Sequence, residues 1–204
     1  MANLRPALFT PTEAAVLTGL PVKAVNNAID KGAVATLPGR SSGRLLDCRA
    51  LVSLVLERRL ADRFVPGLRR QVFDALADAP RDTMSLDGGF LKIDLHGPRR
   101  ELAISIRSLR RARGLVVTDP EIMGGEPVFR GTRIPAHRIA SLLEQGEAAA
   151  DLLAGYPRLT EEMLGLAPLY AAAYPLRGRP RVQPWHGTPP VRQSRRKMGP
   201  MAGE

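Results

Sequence analysis

The chain has 204 residues, with 30 Lys and Arg against 20 Asp and Glu, one cysteine, 18 prolines and 19 glycines. This length allows one ordinary domain or two small ones, and a single cysteine excludes a disulfide-stapled fold. The net charge of +10 predicts an acidic or polyanionic partner, which can be nucleic acid, a membrane surface or an acidic protein. No apolar run is long enough to cross a bilayer and the start lacks a signal-peptide core, so we expect a cytoplasmic protein with no membrane partner.

The charge is distributed unevenly along the chain. Basic and acidic groups number 8 and 4 in residues 1–60, 11 and 7 in 61–113, 4 and 8 in 114–174, and 7 and 1 in 175–204. An acidic segment therefore lies between a basic amino-terminal half and a strongly basic tail. The tail is rich in Pro, Gly and Arg, and its apolar content is too low to offset the entropy of ordering. We expect it to be disordered when free.

A short first helix is predicted close to the start of the chain. Thr10 has the position of an N-cap, with Pro11 in the first turn and Glu13 placed to complete a capping box. Gly19 is placed to end this helix in a left-handed conformation. A tight turn to the next helix follows.

The second helix is predicted to begin after Pro21 and to end at Gly32. Its apolar residues repeat at helical spacing and form one buried stripe: Val22, Val25, Ala28 and Ile29. Its outward positions are Lys23, Asn26, Asn27 and Lys31. Amides read base edges and ammonium groups contact phosphates, so this face suits a helix in the major groove of DNA.

A β-hairpin with a basic tip is predicted next, because apolar runs at 33–37 and 45–46 flank a Gly/Ser/Arg segment. Arg40, Ser41 and Arg44 in this segment are placed to reach the phosphate backbone. A third helix at roughly 49–63 completes the order helix, turn, helix, wing, helix. This order resembles the small MerR-like or excisionase-like winged helix-turn-helix domains. The alternative is a plain three-helix packing unit with a solvated polar face.

Residues 64–116 are predicted to connect this module to the rest of the chain. A helix is expected at 66–80 and a strand at 90–96. The segment 98–114 fits both helical and alternating patterns, and its length and Pro98 favour a helix. We assign no chemistry to the connection.

Residues 117–174 are predicted to form a hairpin followed by three helices. The runs 126–129 and 133–134 bracket a tight turn. Helices are expected to begin at Pro135, at about Ala148 and after Thr160 as an N-cap.

The same segment carries a specific series of motifs: DPEIMGGEPVFRGTRIP, LLEQGE, YPRLTEE, APLYAAAYP and RGRP. Over about residues 117–185 it resembles a small prokaryotic antitoxin domain, formerly filed as a numbered domain of unknown function and usually grouped with VapB-type antitoxins. The resemblance implies a type II antitoxin that binds a PIN-like ribonuclease toxin, represses its own operon by binding operator DNA and forms a homodimer. It implies no catalytic residues. At 147–151 related sequences tend to have a Ser-type helix cap that this chain lacks.

The basic tail is predicted to bind the toxin. PIN-type nucleases hold divalent metal with carboxylates, and guanidinium groups pair strongly with carboxylates when both are desolvated. The expected toxin-binding residues are Arg177, Arg179, Arg181, Trp185 and Arg192, with the tryptophan as an apolar anchor. The alternatives are a solvated terminus and a nonspecific nucleic-acid arm.

The predicted fold class is mainly α with small β-hairpins. It comprises a winged helix-turn-helix DNA-binding domain (8–63), a connection (64–116), a hairpin and three-helix antitoxin domain (117–174) and a disordered basic tail (175–204). We expect no enzyme activity and no cofactor, because the sequence shows no constellation of nucleophile, base or metal ligands and no glycine-rich phosphate cradle. Asp119, Glu121 and Glu126 lie close in sequence, but we expect no metal, because turn chemistry explains Asp119 and Glu126 is placed to pair with Arg130 or Arg133. The alternative function is a stand-alone DNA-binding transcription regulator whose acidic domain only dimerises.

Overall fold

The structure, a computed structural model, describes residues 7–39, 43–61, 63–77 and 82–176. Within these ranges the chain forms eight α-helices: α1 (Pro11–Thr18), α2 (Val22–Asp30), α3 (Cys48–Leu60), α4 (Pro66–Ala77), α5 (His96–Leu115), α6 (Ala136–Glu144), α7 (Ala149–Gly155) and α8 (Glu161–Ala173). Three antiparallel two-stranded sheets accompany them: β1 (Leu37–Pro38) with β2 (Arg44–Leu45), β3 (Thr83–Leu86) with β4 (Leu91–Asp94), and β5 (Val116–Val117) with β6 (Val128–Phe129). The predicted fold class, mainly α with small hairpins, is confirmed.

The predicted capping box at the start of α1 is present. The Thr10 hydroxyl accepts a hydrogen bond from the Glu13 N–H, and the Glu13 carboxylate accepts one from the Thr10 N–H at 2.7 Å. Gly19 follows α1 with φ 69° and donates its N–H to the Ala15 carbonyl. These bonds satisfy backbone groups that a helix leaves unpaired at its two ends.

The apolar stripe of α2 is shorter than predicted. Val25 is fully buried and Ile29 is 8% exposed, whereas Ala28 is only partly buried. Val22 is 41% exposed, so its placement in a buried stripe was wrong. Val22 is the first residue of α2, and the buried part of the stripe begins one turn later.

Two hydrophobic cores organise the described chain. The first gathers α1 to α4, the β3–β4 hairpin and the first part of α5, with Leu51, Leu54 and Val55 fully buried. The second gathers the end of α5, the β5–β6 pair and α6 to α8 around Phe129 and Ile139. The segment predicted as a connection thus packs extensively on the amino-terminal module.

The helix α5 belongs to both cores. Its 20 residues span about 30 Å. Leu102 and Leu109 are buried in the first core, and Ala112 is buried in the second. The helical alternative for 98–114 is therefore confirmed, with the helix extending to both sides of that range.

The segment around Arg130 turns back on itself, but its strand has a different partner from the one predicted. The Phe129 N–H donates to the Ile134 carbonyl at 2.9 Å, and Val128 forms an isolated bridge with Pro135. The ladder of β6, however, is made with β5, where Val116 lies opposite Phe129. The turn connects β6 to α6 along the chain, and the ladder with β5 pairs β6 with the segment that follows α5.

Within the described ranges, no helix is both long enough and apolar enough to span a bilayer.

Candidate nucleic-acid interface

The amino-terminal helices α1 and α2 are joined by a tight turn that lies against α3. Helix α1 contacts α2, α3 and α5, and the turn after it depends on the left-handed Gly19. A Cβ atom at Gly19 would lie 2.8 Å from Nη1 of Arg58 in α3. Glycine is favoured here for its positive φ, and any side chain at this position would also require the Arg58 guanidinium to shift.

The outward face of α2 has the polar composition expected for an interface. Lys23, Asn27 and Lys31 are exposed, and Asn26 is half-buried. The structure therefore brings the four predicted residues to one short helix and its end, with Asn26 the least accessible of them. A helix of nine residues is about 14 Å long, which suits a single crossing of a major groove.

The predicted β-hairpin forms beside α2. Leu37 lies opposite Leu45 in the β1–β2 ladder, and the Gly39 N–H donates to the Gly43 carbonyl at 2.7 Å. Arg44 forms an ion pair with Asp30, the last residue of α2. Its guanidinium is therefore partly neutralised. Of the predicted contacts in this hairpin, Arg40 and Ser41 lie outside the described residues.

The predicted toxin-binding residues also lie outside the part of the chain that the structure describes. They are Arg177, Arg179, Arg181, Trp185 and Arg192. Of the predicted tail, the structure describes only Pro175 and Leu176, which are both exposed.

A cluster of ion pairs joins α3 to α5. Arg58 donates to Glu101 Oε1 at 2.9 Å, and Arg59 donates to Glu101 Oε2 at 2.5 Å. The hydrogen bond from Arg59 holds the pKa of Glu101 below its usual value, with a further contribution from Arg58. Because the Glu101 side chain is 40% exposed, solvent screening keeps the stabilisation small. The pairs mainly orient the two helices.

A buried carboxylate joins α1 to the end of α8. The Tyr174 hydroxyl donates to Glu13 Oε1 at 2.6 Å, and Glu13 is only 7% exposed. Burial raises the pKa of Tyr174, and its hydrogen bond to Glu13 raises it further. The phenol therefore stays protonated as a donor. Sequence reasoning identified Glu13 only as a capping residue and gave Tyr174 no role.

A histidine and a second tyrosine support this contact. His137 Nε2 donates to the Tyr174 carbonyl at 2.7 Å. Nε2 must carry the proton, because a carbonyl only accepts. The Tyr170 ring packs edge-on against His137, with centroids 5.6 Å apart, and lies 4.9 Å from the Tyr174 ring. Tyr170 and Tyr174 are four residues apart, the spacing of one helical face, and this was the signal available in the sequence.

The described residues offer binding groups and no metal-ligand cluster. Within the described ranges, no group of three or more His, Cys, Asp or Glu side chains is placed to hold a metal ion. The structure presents a polar face on α2 with a neighbouring hairpin, both packed on the amino-terminal helices. Such an arrangement can bind a polyanion through cations and read base edges through amides.

Comparisons with known proteins place the chain in a sequence family. Residues 116–171 match the family described as "Protein of unknown function (DUF433)". The uncharacterised protein y4eO of Sinorhizobium fredii (strain NBRC 101917 / NGR234) is 31% identical over 191 residues, which cover 86% of this chain and 85% of that protein.

Among solved structures, the chain is similar to the crystal structure of Rv2018 from Mycobacterium tuberculosis. The sequence identity is 15%, and the match covers 78% of this chain and 96% of that one, with a TM-score of 0.29.

Proposed function

The chain belongs to the family of the y4eO protein and carries a DUF433 domain at residues 116–171, and we propose that it is the antitoxin of a type II toxin–antitoxin system. In this proposal it neutralises a PIN-like ribonuclease toxin and represses its own operon by binding operator DNA as a homodimer. The observation that carries the DNA-binding part is the outward face of α2, which presents Lys23, Asn27 and Lys31 to solvent beside the β1–β2 wing.

The order of helices and strands at the amino-terminal end supports DNA as a partner. Two short helices, a left-handed turn, a β-hairpin and a third helix occur in the order of a winged helix-turn-helix module. The second helix of such a module is the one that enters the major groove. Because Arg44 is paired with Asp30, the lysines at the two ends of α2 supply the cations of this face.

The toxin-binding part is supported by charge and by the motif run that resembles an antitoxin domain. Residues 175–204 hold seven basic groups and one acidic group. Guanidinium groups can bind the carboxylates that hold metal in a nuclease site. The helix α8 ends beside this segment, and its last turn is fixed to α1 through Tyr174.

The test is a separation of the two activities. Expression of the neighbouring gene alone should arrest growth, and co-expression of this chain should restore it and allow the two proteins to copurify. Deletion of residues 177–204 should abolish both protection and copurification while DNA binding persists. The matched variant K23Q/K31Q should protect fully when the toxin is expressed from a separate promoter, while losing operator repression. A harmless neighbour would contradict the antitoxin assignment. Full protection by the truncated chain would show that the tail is not the inhibitory element.

The second candidate is a transcription regulator without a toxin. The separate hydrophobic core of residues 112–170 favours it, since a unit with its own core can serve as a dimerisation domain. Both candidates predict DNA binding that weakens with salt. Purification from the native cell distinguishes them, because only the antitoxin should bring a small nuclease with it.

A further inference from the structure

The solvent side of α5 carries a row of arginines that the proposed site does not use. Arg100, Arg107, Arg110 and Arg111 are all exposed. At 100° per residue they fall within about one third of the helix circumference. Small or aliphatic residues lie on the same side of the helix: Ala103, Ile104 and Gly114. We call these four side chains the α5 arginine face.

Most of this positive charge is not balanced by neighbouring acids. Arg111 is bound by Glu162, but Arg100, Arg107 and Arg110 make no ion pair within the described ranges. The acidic residue of α5, Glu101, is engaged by α3. Three cations therefore face solvent along about 15 Å of helix.

The α5 arginine face is continuous with the winged module. The groove between α3 and α5, about 350 Å³ in volume, is lined by Cys48 and Arg49 at the start of α3 and by Ala103, which lies on the same side of α5 as the arginine face. Burial and the Asp47 carboxylate raise the pKa of the Cys48 thiol, while the nearby Arg110 guanidinium lowers it. Cys48 begins α3 three residues after the wing strand β2 ends. The arginine face thus lies beside the start of α3, which directly follows the β1–β2 hairpin in the chain.

We propose that the α5 arginine face binds the phosphate backbone of the DNA that α2 and the wing contact. The inference rests on the proposed function and extends its footprint to a second element. Phosphates fit this face because guanidinium groups bind phosphate oxygens through paired hydrogen bonds. A protein partner fits it less well, because specific protein interfaces are centred on buried aromatic or large apolar anchors, and Ile104 is the one large apolar residue on this face.

The experiment compares two triple variants of the full chain with equal loss of charge. R100Q/R107Q/R110Q removes the unpaired cations of the arginine face, and R70Q/R133Q/R138Q removes three exposed cations from other elements. Binding is measured against salt concentration for a duplex from upstream of the chain's own gene and for a shuffled duplex of the same length. Circular dichroism and thermal unfolding verify that both variants fold.

We expect the salt dependence of log K to fall by about three in R100Q/R107Q/R110Q, because each lost phosphate contact lowers this slope by about 0.9. The loss should be the same for both duplexes, since phosphate contacts carry no sequence information. The slope of R70Q/R133Q/R138Q should equal that of the wild type. An equal fall in both triple variants would overturn the inference, as would a wild-type slope in the first variant while K23Q/K31Q weakens binding. If the wild-type chain binds neither duplex, the proposed function itself fails.

Discussion

The Tyr174 hydroxyl donates a 2.6 Å hydrogen bond to the Glu13 carboxylate, although 161 residues separate the two in the chain. The other oxygen of the same carboxylate accepts the Thr10 N–H at the start of α1. One buried acid therefore caps the first helix of the proposed DNA-binding module and fastens it to the last helix of the DUF433 segment. Substitutions of Glu13 or Tyr174 should therefore affect the stability of both the amino-terminal module and the DUF433 segment.

Replacing Tyr174 with phenylalanine should destabilise the fold without altering its packing. The change keeps the ring contact with Tyr170 but leaves Glu13 Oε1 buried without this donor, at a cost of about 1–3 kcal/mol. Urea unfolding at neutral pH measures the difference. The matched control is Y156F, because the Tyr156 hydroxyl makes no hydrogen bond within the described ranges, and it should be near neutral. Equal effects of the two changes would contradict the role given to Tyr174.

The same hydrogen bond predicts a stability loss in alkaline solution. Burial raises the pKa of Tyr174 and the bond to Glu13 raises it further, above the value of about 10 for an unfolded tyrosine. The folded state holds this proton more tightly, so its contribution is complete below about pH 10 and is lost as the pH rises toward the folded-state pKa.

Above about pH 10 the wild type should therefore lose stability more steeply than Y174F, by up to about 1.4 kcal/mol per pH unit for one proton. Urea unfolding at a series of alkaline pH values tests this difference. Parallel curves for the two proteins would contradict it.

The ion pairs of Glu101 predict a small loss of folding stability in acid, whereas the Tyr174 hydrogen bond predicts a loss in alkali. The hydrogen bond from Arg59 lowers the pKa of Glu101, so the stabilisation is present above the unfolded value of about 4.3 and is lost as the pH falls through the folded-state pKa. Because the side chain is 40% exposed, E101Q should cost less than about 1 kcal/mol at neutral pH. The difference from wild type should vanish in acid, whereas E144Q, at an exposed acid on α6, should show no difference at either pH.

Two glycines with the same backbone angle provide a matched test of the helical turn. Gly19 has φ 69° and Gly32 has φ 67°, so alanine at either position should cost about 1–2 kcal/mol in left-handed strain. Only at Gly19 does the added Cβ meet Arg58, at 2.8 Å, while Gly32 has open space around it. G19A should therefore be the more destabilising change in thermal unfolding, and equal losses would show that Arg58 moves aside freely.

Substitutions on α2 should separate affinity from sequence preference. K23Q/K31Q should weaken binding to the chain's own upstream duplex and to a shuffled duplex alike, and lower the salt slope by about two. N27A should cost about 1–3 kcal/mol on the upstream duplex only. Fluorescence anisotropy titrations measure both. If N27A weakened binding to the two duplexes equally, Asn27 would not be reading bases.

The local features of this fold could be predicted from the sequence, because each depends on residues a few positions apart. The capping box of Thr10 and Glu13 and the N-cap of Thr160 were both predicted, and both are present. The left-handed end of α1 at Gly19 is also present. Such signals are short-range and act through hydrogen bonds within a single turn.

The long-range features could not be predicted in the same way. Glu101 binds Arg58 across 43 residues, and the partner of β6 proved to be β5 rather than the strand after the turn. The strand β3, which pairs Met84 with Ile93, was also missed, although these two residues are only nine positions apart. The contacts between distant segments are decided by how the helices pack, and helical spacing alone leaves the packing partner open. The candidate face on α2 could be predicted because it lies on a single helix. Its proposed continuation onto α5 could not be predicted, because it depends on the contact between α3 and α5.

The sharing of α5 between both hydrophobic cores limits how the length of this protein can change in evolution. Insertion of one residue between Leu102 and Ala112 would rotate the second core by about 100° and move it by about 1.5 Å. Tyr174 would then no longer reach Glu13. Even an insertion of two full turns, which restores the rotation, would separate the two by about 10 Å. Relatives that keep both halves should therefore conserve the number of residues in this helix and place their insertions and deletions in the loops.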